Sequence, residues 1–416
     1  MQDFIDRADV VVIGGGVIGA SAAYHLTKAG IGDVLVLERN ELASGATARS
    51  AGCFTHSRSD ASTIKMISRT RKAIAELEET LGESIDFHQY GSVRAVFSEP
   101  RKQEMLAIET VMHGAGLAVQ EIDWREAVER VPWLKLDAAL RVIFVPEDGY
   151  ADGALLTASY ARAARQQGAR VKRGVNVTGL VEKDGEVRGV MTRDGFIAAR
   201  WVVCAAGVWG AAMASTMNFG FAGAPTRSHY WITAPDGSGA RGQPNVQLPD
   251  MRAYLRSEVG GLLVGLQEPQ SKTYHPMQLE GDMGHMNLLD EEYDLDLLFE
   301  QASALKPVVP KIDTWGFAHH IAGLSMYTPD GKFVLGRPEG FAGVIVAGGC
   351  CGSGLAASGG FGEVIANVIA GAPTEIDPSL YDPNRFGPVD PSSQAFRDRC
   401  AAARSGKSRG NLVLQH

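Results

Sequence analysis

The chain has no apolar run approaching the roughly 18 residues that a membrane-spanning helix needs, so no membrane span is expected. Cysteine is scarce: Cys53, Cys204, Cys350, Cys351 and Cys400 are the five present, with no CxxC pair and no His/Cys cluster at zinc spacing. That excludes a disulfide framework and a zinc site, and it points to reduced, mostly buried thiols with no bound metal. Cys350 and Cys351 read as packing residues in a glycine-rich turn, because a disulfide between neighbours is strained. Positive charge is in deficit, with a formal net charge of −8, which argues against a nucleic-acid surface. The opening Met1-Gln2-Asp3-Phe4-Ile5-Asp6-Arg7 has acids where a secretion signal needs an apolar core, so the cytoplasm is the expected compartment.

What is abundant is glycine, 49 of 416 residues, in a chain that is 45% hydrophobic and long enough for two domains or one large elaborated one. The most informative stretch lies near the start. Val10-Val11-Val12-Ile13 leads into Gly14-x-Gly16-x-x-Gly19, a helix of small residues follows, and Val34-Leu35-Val36-Leu37 ends at Glu38. This is a complete dinucleotide-binding βαβ unit. One glycine makes the tight turn, one lets backbone approach a pyrophosphate, and one lets helix and strand pack closely. Amides at the helix start, with its positive dipole end, would hold the phosphates. Glu38 is placed to accept hydrogen bonds from a ribose diol, and its charge disfavours a 2′-phosphate, so the choice narrows to FAD or NAD.

Further along, 60–81 has helical spacing closed by Gly82, 87–97 reads as strand, and 101–118 and 123–131 read as helices. An alanine-rich helix over 154–168 precedes strands at 169–173, 176–182, 186–192 and 196–204. The stretches 225–233 and 252–266 alternate as in a second sheet, and 292–305 reads as a helix. A strand at 341–347 then opens into Gly348-Gly349-Cys350-Cys351-Gly352-Ser353-Gly354-Leu355 and a helix ending at Gly371. The expected fold is α/β: a Rossmann-like domain on a parallel sheet (1–85, 146–215, 323–375), interleaved with a substrate domain on an antiparallel sheet and helices (86–145, 216–322). Residues 376–416 form a C-terminal extension, whose stretch from Gly387, with Arg397, Arg399, Arg404, Lys407 and Arg409, reads as solvated or partner-packed.

The second glycine-lined helix start separates FAD from NAD. A flavin must be held between two distant loops, and a helix N-terminus there favours the ring edge where negative charge gathers on reduction. The other reading of Gly359-Gly360 is close helix packing.

These segments, with Ser44-Gly45-Ala46-Thr47-Ala48-Arg49-Ser50-Ala51-Gly52, Ala205-Ala206-Gly207-Val208-Trp209, Gly260 to Gly265 and Ala322-Gly323-Leu324 before Thr328-Pro329-Asp330-Gly331, carry a resemblance across residues 8 to 371. The chain resembles the D-amino-acid oxidase superfamily of FAD-dependent amine oxidoreductases, especially sarcosine and dimethylglycine dehydrogenases and the sarcosine oxidase β subunit. The resemblance implies oxidation of a C–N bond in a secondary or tertiary amine, an N-methyl or cyclic amino acid. A hydride equivalent would pass to flavin N5 and the imine would hydrolyse. It implies FAD contacts at Gly14, Gly16, Val17, Ile18, Gly19, Glu38, Arg39, Ser44, Gly45, Ala46, Thr47, Arg49, Ser50, Ala51, Gly52, Val177, Ala206, Gly207, Trp209, Gly323, Gly349, Cys351, Gly352, Ser353, Gly354 and Leu355. The implied partners are a small amine or amino-acid substrate and an electron acceptor: oxygen, a quinone or an electron-transfer protein. A homo-oligomer or partner subunit is compatible with it. So is a second reading, a noncatalytic flavin-bearing subunit that passes electrons within a larger complex.

The chain departs from that family in several places. Arg49 stands near where some members attach flavin through histidine, and Gly323 or Ser325 stands where others use cysteine, so noncovalent FAD is expected. Leu263 and Ala356 occupy positions where monomeric sarcosine oxidases carry lysines, which favours a dehydrogenase over an oxidase. Candidate catalytic or substrate-contacting residues are Arg49, Tyr254, Arg256 and His320, with His56, Arg58 and His319 beside them. Alternative readings are a loop ion pair for Arg49, sheet packing for Tyr254 and Arg256, and a hydrogen-bonded structural role for His320. His275, His285, Met277, Met283 and Met286 read as a flexible loop over the substrate domain, without a ligand set for a metal.

Overall fold

The computed structural model describes residues 4–407. Two eight-stranded sheets organise the chain. The first runs Val334–Gly336, Val344–Gly348, Gly195–Cys204, Phe4–Ile13, Val34–Leu37, Arg170–Lys172. Its inner neighbours are parallel, while the edge strand Val334–Gly336 is antiparallel, as is the hairpin Val177–Lys183/Glu186–Thr192 that extends from Gly195–Cys204. Val10, Val11 and Val12 are fully buried because both sheet faces are covered, which explains a strand apolar at every position. On one face pack the helices Val17–Lys28, Gly153–Gln166 and Gly354–Ala370. Ile13 pairs with Leu37 and with Cys204, so three strands end level, and the chain opens from that edge at Gly14, Glu38 and Ala205. Such an edge is where open α/β sheets bind ligands.

Gly359 and Gly360 belong to packing. A Cβ on Gly359 would lie 2.5 Å from Thr70 Cα and one on Gly360 2.4 Å from Met66 Cβ, so these glycines let the helix Gly354–Ala370 rest on Ala61–Leu81. Asp60 starts that partner helix by accepting from the Thr63 amide at 2.7 Å, and Gly82, at φ +68°, ends it.

The second sheet runs Phe317–Tyr327, Ala224–Thr233, Gly261–Leu266, Ala253–Glu258, Asn245–Leu248, Ser92–Val96, Arg141–Val145, Gln120–Glu121, with one parallel contact, between Asn245–Leu248 and Ser92–Val96. The alternating stretch 252–266 is a hairpin turned at Val259 and Gly260, both at positive φ. Strand Phe317–Tyr327 runs across the boundary expected at residue 323. Under this sheet Arg227 is fully buried, bonded to Glu268 (Nε to Oε1, 2.9 Å) and Asp294 (Nη2 to Oδ1, 2.6 Å).

The tail departs from expectation. Gln394–Gly406 is a helix whose Phe396, Cys400 and Arg404 are buried against Ala224–Thr233 and Phe317–Tyr327. Their spacing of four puts them on one helix face, a signal masked by the arginines between them. Arg409 lies outside the described residues. Among the described residues no helix is long and apolar enough to cross a membrane.

Candidate functional site

The first glycine loop has the shape its spacing requires. Gly14 sits at φ +106°, where a Cβ would meet the Ala205 carbonyl oxygen at 2.5 Å, and a Cβ on Gly19 would meet the Gly14 oxygen at 1.9 Å. Gly16 differs: its nearest neighbour would be Thr47 Oγ1 at 3.4 Å, so its open side faces the cavity. Glu38 accepts from the amides of Gly15 (2.6 Å) and Asn40 (2.7 Å), so its carboxylate holds the loop while also lining the cavity.

From this loop a single cavity of about 850 Å³ extends past residues 44–51 and the late glycine turn to the second sheet. Gly14, Gly16, Val17, Ile18, Glu38, Arg39, Ser44, Gly45, Ala46, Thr47, Arg49, Ser50, Ala51, Val177, Ala206, Gly207, Trp209, Gly323, Gly352, Ser353, Gly354, Leu355 and Tyr254 all line it. Arg39 stacks on Trp209, with its guanidinium carbon 4.5 Å from the ring centre. Arg49 donates to the carbonyls of Ser44 (2.6 Å) and Gly45 (3.2 Å), shaping its own loop. Burial pushes the Tyr254 phenol up, so it stays protonated.

Other expected residues lie elsewhere. Gly19, Gly52, Gly349 and Cys351 do not line the cavity. Gly19 and Gly52 make close backbone contacts, and Cys351 turns its thiol towards the Gly349 carbonyl (3.1 Å) under the late turn. Arg256 is also off the cavity: it donates to the Ala51 carbonyl (2.7 Å) and pairs with Glu258 (2.6 Å), stapling the small-residue loop to the second sheet. His320 lines a separate cavity of about 260 Å³ shared with Arg49 and Met283. It bonds His229 (3.0 Å) and stacks on Trp231, the ring centres 4.4 Å apart. His229, Asp294 and His320 lie close together, but Asp294 is held by Arg227 and the two imidazoles hold each other, an arrangement that suits a hydrogen-bonded network. His56 is buried on Asp148 (2.6 Å), away from the cavity. The 274–286 segment is not a loop over the second sheet alone. Its Glu280 and Gly281 carbonyls accept from Trp209 (2.9 Å) and Asn40 (3.1 Å), and Met283 is buried.

Three cavity cations went unassigned in the sequence. Arg94, alone among apolar neighbours on its strand, donates to Gln247 Oε1 at 2.8 Å, and burial lowers it to about 10. Arg404 donates to Ser228 (3.1 Å), and Lys407 to the Cys351 carbonyl (2.8 Å). Lys407 is exposed as a residue, but its ammonium sits between the Cys351 carbonyl and the Ser353 hydroxyl, and it lines the cavity. Burial first, then Arg58 and Arg404, lower it to about 7.

The sequence matches the model of the FAD dependent oxidoreductase family over residues 9–368. Dimethylglycine dehydrogenase, mitochondrial, of Rattus norvegicus is 31% identical over 393 residues, covering 92% of this chain and 45% of that protein. The 4-methylaminobutanoate oxidase (formaldehyde-forming) of Paenarthrobacter nicotinovorans is 28% identical over 408 residues, 98% of this chain and 48% of that protein. The chain therefore spans less than half the length of both relatives. Among solved structures, L-proline dehydrogenase from P.horikoshii superposes with a TM-score of 0.80 at 24% identity, covering 92% of this chain and 98% of that one. With a family match over most of its length and a cavity that begins at a dinucleotide loop, the chain belongs to the FAD dependent oxidoreductase family.

Proposed function

We propose that the chain holds FAD noncovalently along this cavity and oxidises the C–N bond of a secondary or tertiary amine, an N-methyl or cyclic amino acid. The observation that carries the reading is the continuity of the cavity, which joins the glycine loop to a wall bearing Tyr254 and several cations. Its size lies in the range of cofactor sites. The activities for which these relatives are named, on dimethylglycine, 4-methylaminobutanoate and proline, lie in the same class.

The fit to FAD rests on particular residues. The amides after Gly16 and the start of Val17–Lys28 suit a pyrophosphate, and Glu38 suits the ribose. Residues 44–51, Ala206, Gly207, Trp209, Val177, Gly323 and Gly352–Leu355 would enclose the rest. Among the described residues no histidine lines the cavity, and burial raises the thiols of Cys53 and Cys350, the latter to about 12, leaving them poor nucleophiles for attaching a flavin. When bound, FAD supplies the acceptor for the hydrogen and electron pair lost from the carbon beside nitrogen, which leaves an imine that water hydrolyses. The protein's part is positioning. Arg58 and Lys407 suit a substrate carboxylate, and their charge, with desolvation, favours the amine in its neutral form.

The first sheet with its helices would be the flavin domain and the second sheet the substrate domain. Leu263 is buried in its strand and Ala356 lines the cavity, so neither position offers a lysine, and we favour a dehydrogenase passing electrons to a quinone or an electron-transfer protein over an oxygen-using oxidase. The test is anaerobic titration of the purified yellow protein with sarcosine, dimethylglycine, proline, pipecolate and dicarboxylic N-methyl amino acids. At least one should bleach the flavin without added subunits. A protein that stays colourless after reconstitution with FAD, or one that no amine bleaches, overturns the proposal.

A further inference from the structure

The far wall of the cavity carries more positive charge than one carboxylate requires. Arg58, Arg94, Arg404 and Lys407 line it, and among the described residues none of them has an acidic side chain within ion-pair distance. The acids that do face the cavity are engaged: Glu38 by two backbone amides, and Glu104 by Arg101 at 2.5 Å. The two phosphates of the cofactor do not balance this wall. They would belong with the glycine loop and the helix start after it, whereas the four wall cations are tied to the late turn and the second sheet.

The arrangement is built. Arg58 Nη2 and Lys407 Nζ lie 3.3 and 3.4 Å from one hydroxyl, Ser353 Oγ, which draws two cations together just before the helix Gly354–Ala370. Arg404 is only 4% exposed, and its Nη1 is buried without a hydrogen-bond partner among the described residues. Arg94 Nε is buried in the same condition. Four cations on one cavity wall, none paired with an acid among the described residues, favour an anionic occupant.

We propose that the substrate carries two or more carboxylates, as in a dicarboxylic secondary amine or an N-alkylated acidic amino acid. This rests on the amine oxidation proposed above. One carboxylate meets the Arg58/Lys407 pair and another the guanidinium groups of Arg94 and Arg404, which leaves the amine between acidic arms. The reaction at the C–N bond is unchanged. What the extra charge contributes is selectivity, since a monocarboxylate leaves part of the cationic wall without a counter-charge.

The experiment uses the flavin-loaded protein and two readouts. Binding of unreactive probes, glutarate with two carboxylates and butyrate with one, is measured by calorimetry. Flavin reduction is measured anaerobically with iminodiacetate and N-methylaspartate against sarcosine and proline. We expect glutarate to bind at least about tenfold tighter than butyrate, and the diacid amines to exceed the monoacids by a similar factor, mainly through KM. Arg94→Met should remove most of the diacid advantage, and Arg94→Lys should keep part of it. Equal binding of the two probes, with bleaching by sarcosine or proline and no preference for diacids, overturns this inference and leaves amine oxidation standing. Tight glutarate binding with no bleaching by any amine upholds the two-anion wall and overturns the amine reading instead.

Discussion

Gly16 and Gly19 stand three residues apart in one turn, yet their replacements should fail in different ways. In Gly19→Ala the new methyl begins 1.9 Å from the Gly14 carbonyl oxygen, where even a close C···O contact is about 3.3 Å. Strand and helix must separate, and overpacking of this kind costs about 1–3 kcal/mol with or without cofactor. Gly16 has extended backbone (φ −75°, ψ 179°) that any residue adopts, and a Cβ there meets only Thr47 Oγ1 at 3.4 Å. Gly16→Val should therefore leave the apoprotein within about 1 kcal/mol of the parent while filling the space a pyrophosphate would enter. A ligand at a hundred times its Kd stabilises the fold by about 2.7 kcal/mol, and that increment should vanish in Gly16→Val. The assay is thermal unfolding of apoprotein with and without excess FAD, together with flavin retained per chain after gel filtration. If Gly16→Val retains flavin like the parent and gains the same stabilisation, the role given to the loop is wrong.

Lys407 should make substrate affinity depend on pH. With its pKa lowered from the ordinary 10.5 to about 7, it is charged below that value and neutral above it, so KM for an anionic substrate should rise as pH climbs through about 7. Lys407→Met should flatten that rise. Because the unfolded chain keeps this proton up to about 10.5, the apoprotein should gain stability between the two values, and an unchanged profile in the variant would reject the assignment. Arg227→Met strands Glu268 and Asp294 in the interior, so urea unfolding should show a loss of about 3–5 kcal/mol, and a loss under about 1 would contradict the network. His320→Ala should reduce flavin within about twofold of the parent rate, since its ring faces the smaller cavity; a drop beyond about tenfold would return it to the catalytic centre.

Much of the first sheet and its helices was legible because it is local. Val10 to Glu38 contains strand, turn and helix in one stretch, and each glycine there reports a nearby steric demand. The late turn was legible for the same reason, although Gly359 and Gly360 look the same in sequence and serve helix contact instead. Side-chain direction was not legible. Tyr254 and Arg256 share a strand face, but the long guanidinium turns back to Ala51 and Glu258, a choice made by partners 205 residues away and two residues away. His320 was drawn off by His229 and Trp231 on the neighbouring strand. Arg404 and Lys407 looked like tail charge because their place on the cavity depends on a helix docking across two distant strands, which composition does not reveal.

The cavity draws its walls from Gly14 and from Lys407, residues far apart in the chain. A ribosome therefore releases these two walls far apart in time. The nucleotide crevice can form early, but the pocket is unfinished until the helix Gln394–Gly406 has seated on strands made long before it. Closure of so distant a contact is slow. Acquisition of the flavin accordingly waits for that helix, and a nascent chain stalled short of it would emerge folded in part and colourless.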